Sequence, residues 1–161
     1  MLTLGSMFDG IGGFPVAGVH NGITPLWASE IEAFPIEVTK VRFPAMRHVG
    51  DITLLNGAKL PPVDIITGGS PCQDLSVAGQ RAGLAGERSG LFMEQIRLVK
   101  EMRHEDKRRG RAAHAVRPRY MVWQNVPGAF SSAGGEDFRA VLEETCRIAA
   151  RAVPIPRPPS G

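Results

Sequence analysis

The chain alternates short apolar runs with longer stretches in which apolar residues recur at helical spacing. The short runs are rich in β-branched and aromatic residues and end at glycine, proline or polar residues, which is typical of strands. They predict strands at 2–8, 25–29, 47–49, 63–67 and 120–123. The longer stretches predict helices at 15–21, 33–42, 91–99 and 136–151. Strands that alternate with helices indicate an α/β fold with a doubly wound, mostly parallel sheet.

Charge is concentrated in one segment that interrupts this pattern. Residues 104–118 are too charged and too often broken by glycine to form core, so we expect an exposed loop there. The basic residues between Lys100 and Arg119 indicate either a polyanion-binding surface or a solvated one, and a solvated surface is the more common outcome. The 161 residues fit one domain, for which we predict residues 1–153, followed by a proline-rich tail at 154–161.

Composition limits which cellular compartment and which kinds of site we expect. No apolar run approaches the roughly 18 residues that span a bilayer, and no charged region precedes the first strand, so we expect a cytoplasmic protein. Cys72 and Cys146 lie far apart and show no metal-ligand spacing. We therefore expect neither a disulfide nor a metal site.

A glycine-rich turn follows the first predicted strand and opens the first helix. It contains Gly10, Gly12 and Gly13, and glycines at such a turn let a phosphate or nucleotide approach the free amides of the helix start. The dinucleotide fingerprint is not matched, because its third glycine would fall on Pro15. Glu30 ends the second strand, where α/β nucleotide-binding folds bind ribose hydroxyls.

A thiol follows the fourth predicted strand. Cys72 lies in the sequence Gly-Gly-Ser-Pro-Cys-Gln, just past the carboxyl end of the strand, where open α/β sheets bind their ligands. A single cysteine is more often a small buried apolar residue than a nucleophile. The glycines before it and the polar, glycine-containing loop after it nevertheless favour a reactive group that a loop could close over.

Five of these features together resemble the N-terminal part of the DNA cytosine-5 methyltransferases, bacterial and phage modification enzymes that use S-adenosylmethionine. The features are the turn at 8–13, Glu30, Gly-Asp-Ile at 50–52, Ser-Pro-Cys-Gln at 70–73 and Gln-Asn-Val at 124–126. Each match is weak alone, but all occur in the family's order and at strand ends. The resemblance covers residues 2–153 and implies a Rossmann-like methyltransferase fold, DNA binding and a place in restriction-modification.

The resemblance also implies the residues that would hold the cofactor. The glycine turn with Phe8 would bind it, Glu30 would bind its ribose, and Asp51 with Ile52 would bind its adenine. Two further residues would line the same pocket. The cofactor residues are thus Phe8, Gly10, Gly12, Gly13, Glu30, Asp51, Ile52, Pro71 and Leu91.

The same resemblance assigns catalysis to Cys72 and position 124. In the family a thiolate adds to cytosine carbon 6, which makes carbon 5 nucleophilic toward the sulfonium methyl group. The target base leaves the duplex to reach the thiol, and residues 73–88 correspond to the loop that closes on it. The expected partner is therefore double-stranded DNA with a flipped cytosine. The substrate-binding candidates are Gln73, Ser76, Arg88, Asn125 and Val126.

Two departures from the family pattern change the expected activity. The family motif after the fifth strand is Glu-Asn-Val, whereas this chain has Gln124, which can donate a hydrogen bond but cannot deliver a proton. The family also continues with an arginine motif, a target recognition domain and a C-terminal segment that have no counterpart here. We therefore expect a C-terminally truncated, impaired fragment.

Two alternatives stay open, and a third is disfavoured. The chain could be half of a split enzyme whose second chain supplies the missing part, or a non-catalytic remnant that binds S-adenosylmethionine or DNA. A nucleotide-binding oxidoreductase is disfavoured, because Pro15 breaks the dinucleotide fingerprint and Cys72 would have no role.

Overall fold

A five-stranded sheet flanked by helices organises the computed structural model, which describes residues 1–70, 90–149 and 153–156. All five predicted strands are present, at β1 Thr3–Met7, β2 Thr24–Ser29, β3 Arg47–His48, β4 Ile65–Gly68 and β5 Tyr120–Trp123. The helices are α1 Gly13–His20, α2 Ala33–Arg42, α3 Gly90–Arg108 and α4 Glu136–Ile148. Short 3-10 turns connect several of these elements.

The strands pair in the order β3-β2-β1-β4-β5, and every neighbouring pair is parallel. Leu4 of β1 contacts α1 at Gly18, whereas Met7 packs with Leu98 of α3. Residues three apart on a strand face opposite sides, so α1 and α3 cover opposite faces of the sheet. The predicted doubly wound α/β fold is confirmed, and the strand order reverses beside β1, where such folds bind ligands.

The main apolar core lies between the central strands and α3. Met7, Trp27 and Ile66 of the sheet are fully buried against Leu98 and Val99 of the helix. Each such side chain contributes about 1.5–3 kcal/mol by leaving water. This core ties the ends of β1, β2 and β4 to one helix.

A second cluster joins α3, β5 and α4 through aromatic rings. The Trp123 ring lies 5.6 Å from that of Phe92 and 6.4 Å from that of Phe138, which also contacts Phe130 at 4.7 Å. Val141 is the fully buried member of the apolar stripe predicted for α4. The other members, at least partly exposed, are Phe138, Leu142, Thr145 and Ile148.

The predicted exposed loop at 104–118 is right in the exposure of residues 107–114 and wrong at its two ends. α3 continues to Arg108, and Asp106 is only 2% exposed. Arg117 donates to both carboxylate oxygens of Asp106, and Arg103 donates to the carbonyls of Val116 and Pro118. These contacts give Arg103, Asp106 and Arg117 partners within the protein, which allows the two ends of the segment to pack although its composition is polar.

The same pairing neutralises part of the charge of the basic cluster. Glu105 pairs with Arg108 and Arg109, and Asp106 pairs with Arg111 and Arg117. Each carboxylate is shared by two arginines, so these four arginines keep a net positive charge that can still attract a polyanion. Across the described ranges, no helix is long and apolar enough to cross a membrane.

Asp106→Ala tests the role of this ion-pair network. Burial opposes ionisation of Asp106, but the hydrogen bonds and charge of Arg117, with the charge of Arg111, hold the pKa of the carboxyl below its usual 3.8. The variant should lose roughly 2–3 kcal/mol of unfolding free energy at pH 7 in urea titrations. The loss should shrink as the pH falls through the folded-state pKa, because protonation removes the same charge.

Lys40→Ala is the matched control, because its ion pair with Glu37 is exposed on both sides. It should change stability by no more than about 0.5 kcal/mol. Equal unfolding free energies for the two variants would contradict a structural role for Asp106.

Candidate functional site

The carboxyl ends of the five strands place the predicted site residues along one edge of the sheet. Parallel pairing puts the residues that follow β3, β2, β1, β4 and β5 in that spatial order. Asp51, Glu30, the glycine turn, Ser70 and Gln124 therefore form a row. Ser29 joins two members of the row, since its hydroxyl donates to the Gly50 carbonyl at 2.6 Å and its carbonyl accepts from the Asp9 amide at 3.2 Å.

The glycine turn is open and conformationally constrained. Gly10 has φ +56° and Gly12 has φ +86°, which glycine adopts without steric cost. A Cβ added at Gly10 or Gly13 would meet no atom within 4 Å. Gly12 caps α1 without a side-chain hydrogen bond to the helix, so first-turn amides are available to a ligand.

Phe8 adopts φ +53°, and it is the one non-glycine residue with a positive φ in the described part of the chain. Such a conformation costs about 1–3 kcal/mol and persists where the surroundings enforce it. The Phe8 side chain packs against the main core, and the reversed backbone carries Asp9 into the interior. Strain at this position is therefore part of how the turn is built.

Glu30 ties the glycine turn to the second strand. Its Oε2 accepts from the Gly10 amide at 2.8 Å, and its Oε1 accepts from the amides of Ile31 and Glu32 at 2.7 and 3.0 Å. Carboxylate oxygens have further lone pairs that can accept from hydroxyls. Glu30 is thus held in position at the end of β2, where the sequence predicts ribose binding.

The two residues expected to bind adenine, Asp51 and Ile52, differ in their contacts. Asp51 Oδ1 accepts from the amide and the hydroxyl of Thr53, both at 2.8 Å, and fixes the turn after β3. The Ile52 side chain is buried in the main core, and its carbonyl accepts from Arg97 at 3.2 Å. Leu91 is half-buried against the same core. The Ile52 side chain therefore serves packing.

Asp9 is a buried carboxylate inside the glycine turn. It is 5% exposed, its Oδ1 accepts from the Ser6 hydroxyl at 2.5 Å, and its Oδ2 is buried without a hydrogen-bond partner in the described structure. Burial raises the pKa of Asp9 to about 6; the Ser6 hydrogen bond opposes this rise, and the charge of Glu30 adds to it. Asp9 can therefore change charge near neutral pH.

The thiol side of the site is described up to Ser70. Ser70 is buried and accepts from Trp123 Nε1 at 3.2 Å, which links the end of β4 to the end of β5. The backbone amide of Gln124 donates to the Gly68 carbonyl at 3.0 Å. The residues assigned to the thiol loop lie outside the described residues, namely Pro71, Cys72, Gln73, Ser76 and Arg88.

Gln124 lies beside the segment that leads to the thiol. Its side-chain oxygen occupies the space that a Cβ at Gly69 would need, so this position accommodates only glycine without a shift. Asn125 Oδ1 accepts from the Val126 amide at 2.8 Å, and the side chains of Gln124 and Val126 are exposed. The structure thus brings the fifth-strand motif to the end of β4.

Two buried polar residues near this edge were not predicted from the sequence. Asp9 belongs to an Asp-Gly pair that is common in turns, and no pattern indicates that its carboxylate is buried. Gln95 of α3 is fully buried. Its side-chain nitrogen Nε2 lies only 2.7 Å from the position that a Cβ at Gly68 would occupy, so a side chain there would clash. Both Gln95 amide atoms have no partner in the described residues. The one indication of a special role for Gln95 in the sequence is that this polar residue lies within the apolar stripe of the helix.

Comparison with known proteins agrees with this arrangement. Residues 2–147 match the family described as C-5 cytosine-specific DNA methylase. A protein of Escherichia phage P1 named DNA N-6-adenine-methyltransferase is 35% identical over 164 residues, which cover 99% of this chain and 21% of that protein. The type II methyltransferase M1.ScrFI of Lactococcus lactis subsp. cremoris is 33% identical over 138 residues, covering 84% of this chain and 31% of that protein.

A solved structure shares both the fold and a quarter of the aligned residues. It is a DNA modification methyltransferase encoded within an E. coli prophage, with a TM-score of 0.64 at 25% identity, covering 93% of this chain and 38% of that one. This chain therefore spans about a fifth to two fifths of the length of these relatives. Because the family match extends over residues 2–147 and includes every described strand, the chain belongs to the C-5 cytosine-specific DNA methylase family.

Proposed function

We propose that this chain supplies the cofactor-binding and nucleophile-bearing part of an S-adenosylmethionine-dependent DNA (cytosine-5-)-methyltransferase. One observation carries the proposal: Glu30, the open glycine turn, the end of β4 and Gln124 follow one another along a single sheet edge. In this proposal residues 1–153 are the N-terminal part of the catalytic domain, and residues 154–161 are a tail.

The residues of the turn fit S-adenosylmethionine. The space above Gly10 and Gly13 is open, the first amides of α1 are available, and Glu30 stands fixed at the end of β2. When bound, the cofactor supplies an electrophilic methyl group on a positively charged sulfur. The residues assigned to it are Phe8, Gly10, Gly12, Gly13, Glu30, Asp51, Ile52, Pro71 and Leu91.

Cys72 is the nucleophile in this proposal. Cytosine carbon 5 is a weak nucleophile, and addition of the Cys72 thiolate to carbon 6 raises electron density at carbon 5. The negative charge that develops on the ring must be neutralised as it forms. Gln124 can donate a hydrogen bond to the ring but cannot deliver a proton, and loss of general acid catalysis typically costs about 10²–10⁴-fold in rate.

The proposed substrate is double-stranded DNA from which a cytosine is flipped. A base inside a duplex cannot reach the thiol, so it must leave the stack. The residues assigned to base and backbone contacts are Gln73, Ser76, Arg88, Asn125 and Val126.

The name of the phage P1 relative refers to a different target, the exocyclic amine of adenine. That amine carries its own lone pair, so its methylation needs no covalent nucleophile and gives Cys72 no role. The matched region covers only 21% of that protein. Cytosine carbon 5 is therefore the target we assign.

A second chain that completes the domain is part of the proposal. β5 lies at an edge of the sheet, and its Tyr120 and Val122 side chains are 52% and 45% exposed. An apolar edge strand is a natural surface for pairing with further strands. The alternative function, a non-catalytic protein that binds S-adenosylmethionine or DNA, is favoured by Gln124 in place of the motif glutamate.

Cofactor binding is tested by titration of the 161-residue chain with S-adenosylmethionine, monitored by NMR. Weak, saturable binding is expected, and Glu30→Ala should weaken it by about 10–100-fold, because a hydrogen bond to a charged group contributes about 1.5–3 kcal/mol. Glu37→Ala, an exposed acid on the outer side of α2, should leave affinity unchanged. No binding at millimolar cofactor by a folded sample would refute the assignment.

Methyl transfer is tested with tritium-labelled cofactor and mixed-sequence DNA. The chain alone should show no measurable incorporation, since Gln124 lacks a proton to give and poor positioning of the base can itself cost about 10²-fold. Gln124→Glu alone should not restore turnover. Gln124→Glu together with the C-terminal half of a family member, in cis or in trans, should restore it.

Cys72→Ala in the restored protein is the control and should abolish incorporation. Robust incorporation by the unmodified chain that Cys72→Ala abolishes would overturn the predicted impairment while supporting the nucleophile. Incorporation that survives Cys72→Ala would refute the covalent mechanism.

A further inference from the structure

Asp9 is a buried carboxyl group that pairs with no basic side chain in the described structure. The Ser6 hydroxyl is the one hydrogen-bond donor to its carboxylate among the described residues, and Oδ2 has none. Thr67 is paired with Ser6 in the parallel register of β1 and β4, so both side chains lie on the same face of the sheet. Its Oγ1 is also buried and without a hydrogen-bond partner in the described ranges.

The groups around Asp9 do not include a counter-charge. Ser6 on β1 and Thr67 on β4 are not ionisable, and the first turn of α1, residues 13–16, has neither a basic nor an acidic side chain. Glu30, after β2, is the charged group that acts on Asp9, and its negative charge disfavours the ionised form. An ionised carboxylate in this environment costs stability, and such a cost is usually retained where the charge is used.

We propose that Asp9 is a specificity residue that selects the methyl donor by its charge: the ionised carboxylate favours a ligand with a positive sulfonium over the neutral thioether product. This inference rests on the proposed cofactor function. Opposite charges shift each other's energy when they lie within roughly 4–6 Å, so the sulfonium must bind within that distance of the Asp9 carboxylate but need not touch it. Ionised Asp9 would thereby shift the ratio of the two affinities toward the donor.

The inference makes binding dependent on protonation. Because burial places the pKa of Asp9 at about 6, the carboxylate is mostly ionised at pH 7 and mostly protonated at pH 5. A ligand that needs the ionised form has its apparent affinity reduced by the fraction that is ionised. Affinity for S-adenosylmethionine should therefore fall by up to about tenfold from pH 7 to pH 5.

S-adenosylhomocysteine is the matched ligand, because it differs from S-adenosylmethionine only in the methyl group and the positive charge on sulfur. We would titrate the 161-residue chain with each ligand at pH 5, 6 and 7 by NMR, with the free-protein spectrum as the check for folding. The preference for the sulfonium ligand should decline toward pH 5. A preference that does not change with pH would overturn this inference and leave the proposed cofactor site standing. Absence of binding by both ligands would overturn both.

Two variants separate charge from folding. Asp9→Asn should make the preference for the sulfonium ligand independent of pH. At pH 7 the variant should show the low preference that the wild type shows at pH 5. Ser6→Ala removes the hydrogen bond that lowers the Asp9 pKa, so the midpoint of the preference should move to higher pH. Glu37→Gln, on the exposed side of α2, should change neither the preference nor its midpoint. An unmoved midpoint in Ser6→Ala would overturn the inference even if Asp9→Asn failed to fold.

Stability gives an independent readout that needs no ligand. The folded-state pKa of Asp9 is raised from 3.8 to about 6, so folding favours the protonated form, and this contribution to stability is lost as pH rises through that window. The urea midpoint of Asp9→Asn, relative to wild type, should therefore increase from pH 4 to pH 7 and level off above the folded pKa. Comparing the two proteins at each pH cancels the titration of other groups. A difference that is constant with pH would show that Asp9 carries no uncompensated charge and would overturn the inference.

Discussion

Parallel pairing of β1 with a strand on each side is the constraint on which the site depends. β1 pairs with β2 and with β4, and its end carries the glycine turn. Gly5 permits this arrangement, because the Trp27 ring lies where a side chain at that position would be. A shift of one residue in the pairing would exchange the faces of all side chains on β1. Ser6 would then point away from Asp9, and the turn would lose its connection to Glu30.

Two buried aspartates show how differently the same group can be surrounded. Asp106 is surrounded by arginines that outweigh the cost of burial, and its pKa lies below the usual value. Asp9 has a serine and a second acid near it, and its pKa is raised to about 6. The first carboxylate joins α3 to the segment before β5. The second contributes an uncompensated charge at the edge where ligands of this fold bind.

The two halves of the site are built differently. The cofactor half depends on backbone conformation and on carboxylates held by amides, so most of its geometry is set by β1, β2 and the start of α1. The base half has an exposed Gln124 side chain beside Gly69. An exposed amide is held less rigidly than a packed one, and enclosure by further protein strengthens its hydrogen bonds. The two halves therefore differ in how much of their geometry the described residues fix.

The sequence by itself determined the strands, the order of the chemical groups and the family to which they belong. β-branched runs, turn glycines and helical spacing suffice for these, because they act over a few residues. Boundaries agreed closely for α2 at Ala33–Arg42 and β5 at Tyr120–Trp123. The motif residues Glu30, Asp51 and Gln124 came to one sheet edge as expected, since parallel strands end on the same side.

Only the tertiary structure decided which charges are buried and what compensates them. Composition predicted an exposed loop at 104–118, but Arg117 pairs with Asp106 across a turn and Arg103 satisfies distant carbonyls. Likewise, nothing local distinguishes Asp9 from an ordinary turn aspartate; its properties arise from Ser6, Glu30 and the strained backbone at Phe8. The energy of a charge depends on everything within several ångströms, which chain order alone does not specify.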